Sequence, residues 1–228
     1  FVCPIMGEIL FQQKNLYFTY CHSGQVSKIN LHHKNILSAM SIPLAKQIAL
    51  IMVDMQPAFL NSIEDSECIT ARCRFALETA GLFGIQVIFT EQSPQKLGNT
   101  DSTLLDRAPN GTVFSKTTFS AFGAVGLPEK LEDEGIQHLL LAGIETPICI
   151  YNTAIHAQAH KLETTLLQDC IGARRTCDEQ SVIQFLRQKS DCHILPSETI
   201  FYSLLNDAKN PLFGDFTKLV KKHGTYSS

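Results

Sequence analysis

No Cys-x-x-Cys pair occurs among the eight cysteines, at positions 3, 21, 68, 73, 149, 170, 177 and 192, and they lack the tight, even framework of a small disulfide-held domain. A reducing compartment, and so a cytoplasmic protein, is the expectation. No stretch approaches the roughly 20 continuous apolar residues of a membrane span, and the first residues lack a charged region followed by an apolar run and a cleavage site. No basic stripe accompanies the formal charge of −3; the one cationic cluster near a terminus is Lys218, Lys221 and Lys222. Nucleic acid and membrane are therefore not expected as partners. The glycines of a dinucleotide fingerprint are also missing, because Asp54-Met55-Gln56-Pro57 stands where the first βα turn should be. That disfavours a nicotinamide or flavin nucleotide enzyme.

What is present suits one sizeable core. The chain has 228 residues, of which 44% are apolar and 18% charged, enough for one α/β domain and cramped for two. Residues 1–40 read differently, with mixed aromatic, Cys and His content and no period, and are treated as an N-terminal appendage to a domain at 41–228. They could be an upstream stretch translated with the domain, disordered or artefactual, or a genuine arm; Met40-Ser41-Ile42-Pro43 looks like a natural start.

From Ile48 the pattern sharpens. Ile48 to Val53 is an unbroken apolar run ending in Asp54, as expected of a parallel strand covered on both faces. Similar runs recur at 86–90, 112–116, 138–142 and 163–167, with a weaker one at 193–195. Helical segments fall between them at 66–82, 128–134, 147–160 and 178–189, with more after Pro196 and Pro211. Pro128 and Pro147 mark first turns. Strands alternating with helices predict an α/β fold, a doubly wound, Rossmann-like three-layer sandwich with a mostly parallel sheet.

Ligands of such sheets bind beyond the carboxyl ends of the strands. Three reactive side chains fall there: Asp54 after the first strand, Lys116 closing the third, and Cys149 in the first turn of the helix after the fourth. A helix N-terminus and a nearby lysine both favour thiolate. A carboxylate beside the thiol could take its proton and return it to a leaving group. Each residue alone also has a bland use, as a buried apolar cysteine, a cap or a solvated charge.

The combination resembles a known family. Val53-Asp54-Met55-Gln56-Pro57-Ala58-Phe59 is similar to the D-x-Q-x-x-F opening of isochorismatase-like cysteine hydrolases. Phe114 to Phe122 resembles their lysine motif, and Gly143-Ile144-Glu145-Thr146-Pro147-Ile148-Cys149-Ile150 their nucleophile turn. Thr90-Glu91-Gln92 and the segment 204–211 look like the branch of isochorismatase domain-containing proteins. The resemblance, over about 46–222, implies strand order 3-2-1-4-5-6 and a catalytic group of Asp54, Lys116 and Cys149. It further implies a cis Glu145–Thr146 bond, an oxyanion hole from the N–H groups of Thr146 and Cys149, and a homo-oligomer. Gln56 is expected to orient Asp54 or a water, or else to cap a loop. Phe59, Phe119 and Phe122 resemble the apolar wall of the pocket, with core packing an alternative use. Asp169 resembles a buried supporting acid, or is a turn residue.

Metal-dependent relatives in that superfamily carry a D-x-H motif between the Asp and the Lys, and here no histidine occurs between His33 and His138. No metal and no cofactor are therefore expected. Members that cleave a vinyl ether lack the cysteine, so Cys149 points to hydrolysis of a small amide, imide or carbamoyl-type substrate through a thioester. Two readings of other classes stand beside this: a weakly catalytic binding or scaffold protein, and a thiol redox protein. His156 is too far along its helix to pair with Cys149, and His156 with His160 lacks the glutamate of an H-E-x-x-H site. Cys68 and Cys73, five apart on one helix, point away from each other. The apolar spacing of Leu212, Phe213, Phe216, Leu219 and Val220 suits a helix packed on its own domain or on a neighbour.

Overall fold

A computed structural model describes residues 19–22, 25–28 and 45–224. The chain divides into two compact units, 1–38 and 39–228. In the first, β1 (Thr19–His22) and β2 (Gln25–Lys28) form an antiparallel hairpin, Thr19 opposite Lys28 and His22 opposite Gln25. The sequence reading found no element there; the rest of the 1–40 appendage lies outside the described residues.

In the second unit the order is β3 (Ile48–Val53), α1 (Pro57–Leu60), α2 (Ser66–Phe83), β4 (Gln86–Gln92), α3 (Pro94–Leu97), α4 (Ser102–Leu105), β5 (Thr112–Lys116), α5 (Leu127–Asp133) and β6 (His138–Ile144). A wide turn (Thr146–Ile150) then leads into α6 (Tyr151–Ala159), β7 (Glu163–Gly172), α7 (Thr176–Leu186), β8 (Cys192–Leu195), α8 (Ser197–Leu205) and α9 (Phe213–His223). The six strands β3 to β8 form one parallel sheet ordered β5-β4-β3-β6-β7-β8. Counted within the domain this is 3-2-1-4-5-6, as expected.

The alternation of side chains along β3 builds the two cores. Leu50 and Met52 face one layer, where they join Phe75 and Phe83 of α2, Phe201 of α8 and Phe216 of α9. Ala49, Ile51 and Val53 face the other, with Leu127, Ile150, Ala154 and Leu186. All six residues of β3 are buried, which explains an apolar run without alternating polar residues. The apolar face of α9 is spent within the domain: Phe216 packs on Phe75, Phe83, Phe201 and Tyr202, with centroids 4.9–6.4 Å apart. It lends no support to a subunit contact.

Three strands run past their expected ends, and each extension matters. β4 and β6 carry on to Gln92 and Ile144, up to the edge of the candidate site. In β7 the register against β6 slips between Leu141 and Gly143, letting the strand continue through Asp169 and Cys170 to Gly172. Asp169 is thus a strand residue, not a turn. It accepts from Arg72 Nε at 2.8 Å and from Ser197 N and Oγ at 2.7 Å each, tying α2, β7 and α8 together. Of the loop 93–110, two stretches are the short helices α3 and α4.

At Gly143 the sheet closes around the site. Its φ is +112°, and a Cβ there would sit 2.1 Å from the Val53 carbonyl oxygen. Only glycine lets β6 approach β3 this closely just before Asp54.

Candidate active site

Four strand ends converge. Asp54 leaves β3 with φ +50°, a conformation rare for a residue with a side chain, and its N–H donates to Thr90 O of β4 at 3.0 Å. This turns the carboxylate across the tops of β4 and β5. Thr90 Oγ1 donates to Asp54 Oδ1 at 2.8 Å, and Lys116 Nζ donates to Asp54 Oδ2 at 2.6 Å. The lysine, the last residue of β5, also donates to Gln92 Oε1 at 2.7 Å and to Thr118 O at 3.2 Å. Gln92 Nε2 donates in turn to Thr117 O at 2.8 Å, which holds its oxygen toward the ammonium.

Cys149 comes from the next strand over. Its Sγ lies 3.9 Å from Lys116 Nζ, hydrogen-bonds the Asp54 carboxylate, and faces the Glu145 backbone N–H. The residue is only 7% exposed. Thr153, one turn on in α6, donates to Cys149 O at 2.7 Å and accepts from Ala121 N at 2.9 Å, pinning the turn that carries Cys149 to the segment after Lys116. The three sequence-predicted groups thus share one buried cluster.

Their ionisation differs from the expectation of a thiolate. Burial, and then the negative charge of Asp54, push the Cys149 thiol up to about 12, and Lys116 offsets only part of this. The helix that should favour the thiolate begins at Tyr151, after the wide turn, so the sulfur does not sit on a regular helix N-terminus. Burial also raises Asp54 above the ordinary carboxylate range, against the pull of Lys116 and of three hydrogen bonds. At neutral pH the resting thiol therefore keeps its proton.

The other expected site residues divide. The cis peptide is present one bond earlier than expected, at Ile144–Glu145 rather than Glu145–Thr146. Glu145 O accepts from Ile148 N at 3.1 Å and Ile150 N at 3.2 Å. The Thr146 hydroxyl donates to Gly172 O and Glu179 Oε1, 3.1 Å each, anchoring the turn to β7 and α7. Gln56 does not bond Asp54: its Oε1 accepts from Gln92 N at 2.8 Å, and its Nε2 donates to Gln92 O at 3.1 Å and to Gly98 O at 2.5 Å. It caps the loop above the site. Phe59 packs at the edge of the α2 core. Phe122 stacks on His160, centroids 4.5 Å apart, in a groove of about 600 Å³ at the opposite end of α6 from Cys149. Phe119 is 59% exposed. Among the described residues no group of three or more His, Cys, Asp or Glu side chains is placed to hold a metal ion, and no helix is long and apolar enough to cross a membrane.

Thr90, Gln92 and Thr153 were not singled out for the site. Thr90 and Gln92 had a signal, since they end the strand beside Asp54. Thr153 had none, because its partners are set by tertiary contacts.

A six-stranded, doubly wound parallel sheet with an acid, a lysine and a cysteine joined beyond its strand ends defines a Rossmann-like α/β fold with a buried cysteine site. Residues 48–194 match the family model described as the Isochorismatase domain. The chain belongs to the isochorismatase family. It is 31% identical over 180 residues to isochorismatase domain-containing protein 2A of Mus musculus, covering 78% of this chain and 85% of that protein. The solved structure of the MAR1 ribonuclease from Caenorhabditis elegans superimposes with a TM-score of 0.72 at 26% identity, covering 78% of this chain and 91% of the other. The YcaC gene product of Escherichia coli, an octameric hydrolase of unknown specificity, matches at a TM-score of 0.73 and 17% identity over 78% and 89% of the two chains, a likeness of fold alone.

Proposed function

We propose that the protein is a cofactor-independent cysteine hydrolase that cleaves a C–N bond of a small amide, imide or carbamoyl-type substrate. The observation that carries this is the hydrogen-bonded set of Asp54, Lys116 and Cys149, buried together at the switch point of the sheet.

The chemistry follows from the protonation states. The Cys149 sulfur attacks the substrate carbonyl carbon as its proton passes to the Asp54 carboxylate, so no free thiolate has to be stored. Lys116 donates to Asp54, which favours the ionised carboxylate that must take the proton, and it faces the sulfur during the attack. The oxygen of the tetrahedral intermediate is taken by the backbone N–H groups of Thr146 and Cys149. Collapse breaks the C–N bond, and the leaving nitrogen takes the proton from Asp54. Asp54 then draws a proton from water as it attacks the thioester, releasing an acid and restoring the thiol. No metal step is needed, in keeping with the missing histidine between Asp54 and Lys116. The same reading takes a small molecule as the substrate and a homo-oligomer as the assembly.

A hydrolysis screen over small amides tests it, comparing the intact chain with Cys149→Ala. Release of ammonia or amine that is lost in the variant, with an acyl adduct on Cys149 by mass spectrometry, is the expected result. Turnover that survives in Cys149→Ala overturns it.

A further inference from the structure

Strand β4 ends in an acid followed by an amide, and the alternation of the strand sends the two to different partners. The buried Glu91 carboxylate turns to the loop after α3, accepting from Thr100 N at 2.8 Å and from Asn99 Nδ2 at 3.2 Å. Gln92 turns to Lys116. The neutral member of the pair thus meets the buried ammonium, although an acid stands next to it in the chain.

An ammonium has three protons to donate. Asp54 Oδ2, Gln92 Oε1 and Thr118 O accept from Lys116 Nζ at 2.6–3.2 Å, and the Cys149 sulfur lies farther off at 3.9 Å. Of the three oxygens only that of Asp54 can carry a charge, so the sulfur meets a lysine whose charge faces one carboxylate and no second anion. The Gln92 amide is fixed in this orientation. Its Nε2 donates to Thr117 O at 2.8 Å, and the Gln56 side chain bonds both its backbone N–H and its C=O. Turned over, the amide would set an N–H against the ammonium and an oxygen against a carbonyl.

We infer that Gln92 is a positioning residue for Lys116, holding the ammonium beside Cys149 as an uncharged acceptor so that the lysine's charge serves Asp54 and the sulfur alone. The inference deepens the hydrolase reading and rests on Cys149 as the nucleophile. Gln92 acts through Lys116. A carboxylate in its place would claim the same ammonium and oppose negative charge on the sulfur, as Asp54 already does. An apolar side chain would leave the charge on the lysine and strip one acceptor from a buried cation.

The test needs no known substrate. The full chain and its variants Gln92→Glu and Gln92→Met are treated with iodoacetamide from pH 8 to 10, and labelling of Cys149 is followed by peptide mapping with exposed Cys68 as internal reference. Gln92→Glu should label Cys149 about tenfold more slowly than the parent, the effect of one pH unit on the thiol, with no such change at Cys68. Gln92→Met should label Cys149 no more slowly than the parent and should melt at a lower temperature. Gln92→Asp, one methylene shorter, should slow labelling less than Gln92→Glu, and it decides the sign should Gln92→Glu fail to fold. Labelling in Gln92→Glu as fast as in the parent overturns the inference and leaves Cys149 as nucleophile untouched. Equal slowing in Gln92→Glu and Gln92→Met also overturns it, because the residue would then act through its shape and not through its lack of charge. A Cys149 that stays unlabelled in every one of these proteins at every pH, while Cys68 reacts, overturns both readings.

Discussion

Lys116 Nζ lies 2.6 Å from Asp54 Oδ2, with the two side chains 0% and 1% exposed. An ion pair this deep derives little net stability from its own attraction, since both charges have left water, but removing one partner strands the other. Lys116→Met should therefore lower stability by about 3–5 kcal/mol. The double variant Asp54→Asn/Lys116→Met should recover a large part of that loss while remaining inactive. Denaturant melts of the four proteins of the cycle measure it. A double variant no more stable than Lys116→Met alone would show that the pair contributes through packing rather than through charge.

Alkaline stability reports on Cys149. Its thiol is held at about 12 in the folded chain against an ordinary value of 9.0. Between those two values the unfolded chain has lost the proton and the folded chain keeps it, so stability falls as pH rises. The slope approaches about 1.4 kcal/mol per pH unit for one such group. Relative to Cys149→Ala, the intact protein should lose stability above pH ~9 and show no such difference between pH 7 and 8. Denaturant titrations at pH 8 to 10.5 compare the two slopes. Parallel slopes would place the thiol near its ordinary value.

Gly143→Ala is expected to be among the most damaging single methyl additions. The new Cβ meets backbone, not a side chain that can swing aside, at 2.1 Å from Val53 O, and φ +112° is itself unfavourable for alanine. A loss of about 3 kcal/mol or more is expected. Asp54 follows directly on Val53, so any hydrolytic activity should fall further than the melting temperature alone explains. A variant that melts within a degree or two of the parent would mean that β6 can shift away from β3 without cost.

The difference between what the sequence revealed and what it hid follows from the range of the interactions. Asp54, Lys116 and Cys149 were legible because each ends a strand or opens the turn after one, and strand ends follow from local apolar runs. The parallel sheet was legible for the same reason, since β3 is apolar on both faces. Gln56 stayed open between orienting Asp54 or a water and capping a loop because an amide two residues from an acid can turn either way, and the partners Gln92 and Gly98 that decide for the loop lie 36 and 42 residues on. The end of β7 was missed because the register slip that carries it to Gly172 depends on the neighbouring strand. The protonated state of Cys149 was hidden too: a helix start and a lysine are visible in sequence, whereas burial and the hydrogen bond to Asp54 are not.

The last prediction separates reactivity from catalysis at Cys149. In the intact protein the site is electrically balanced by Asp54 and Lys116, so the thiol keeps its proton, and exposed Cys68 and Cys177 should react with plain iodoacetamide ahead of it at pH 7. Asp54→Asn removes the anion that opposes ionisation of the thiol and leaves Lys116 without its counter-charge, 3.9 Å from the sulfur. The thiolate then becomes the partner the buried ammonium lacks, and the thiol should titrate well below 12. Iodoacetamide should consequently label Cys149 faster in Asp54→Asn than in the parent, by up to about tenfold for each pH unit by which the thiol falls toward neutrality, since the thiolate fraction rises while its nucleophilicity declines. Hydrolysis should nevertheless vanish, because no group remains to return a proton to the leaving nitrogen. The measurement is the labelling rate of Cys149 in both proteins from pH 6 to 10, read by peptide mapping beside turnover of any amide found in the screen. Slower labelling in Asp54→Asn would sink this account and make the carboxylate the group that activates the thiol at rest.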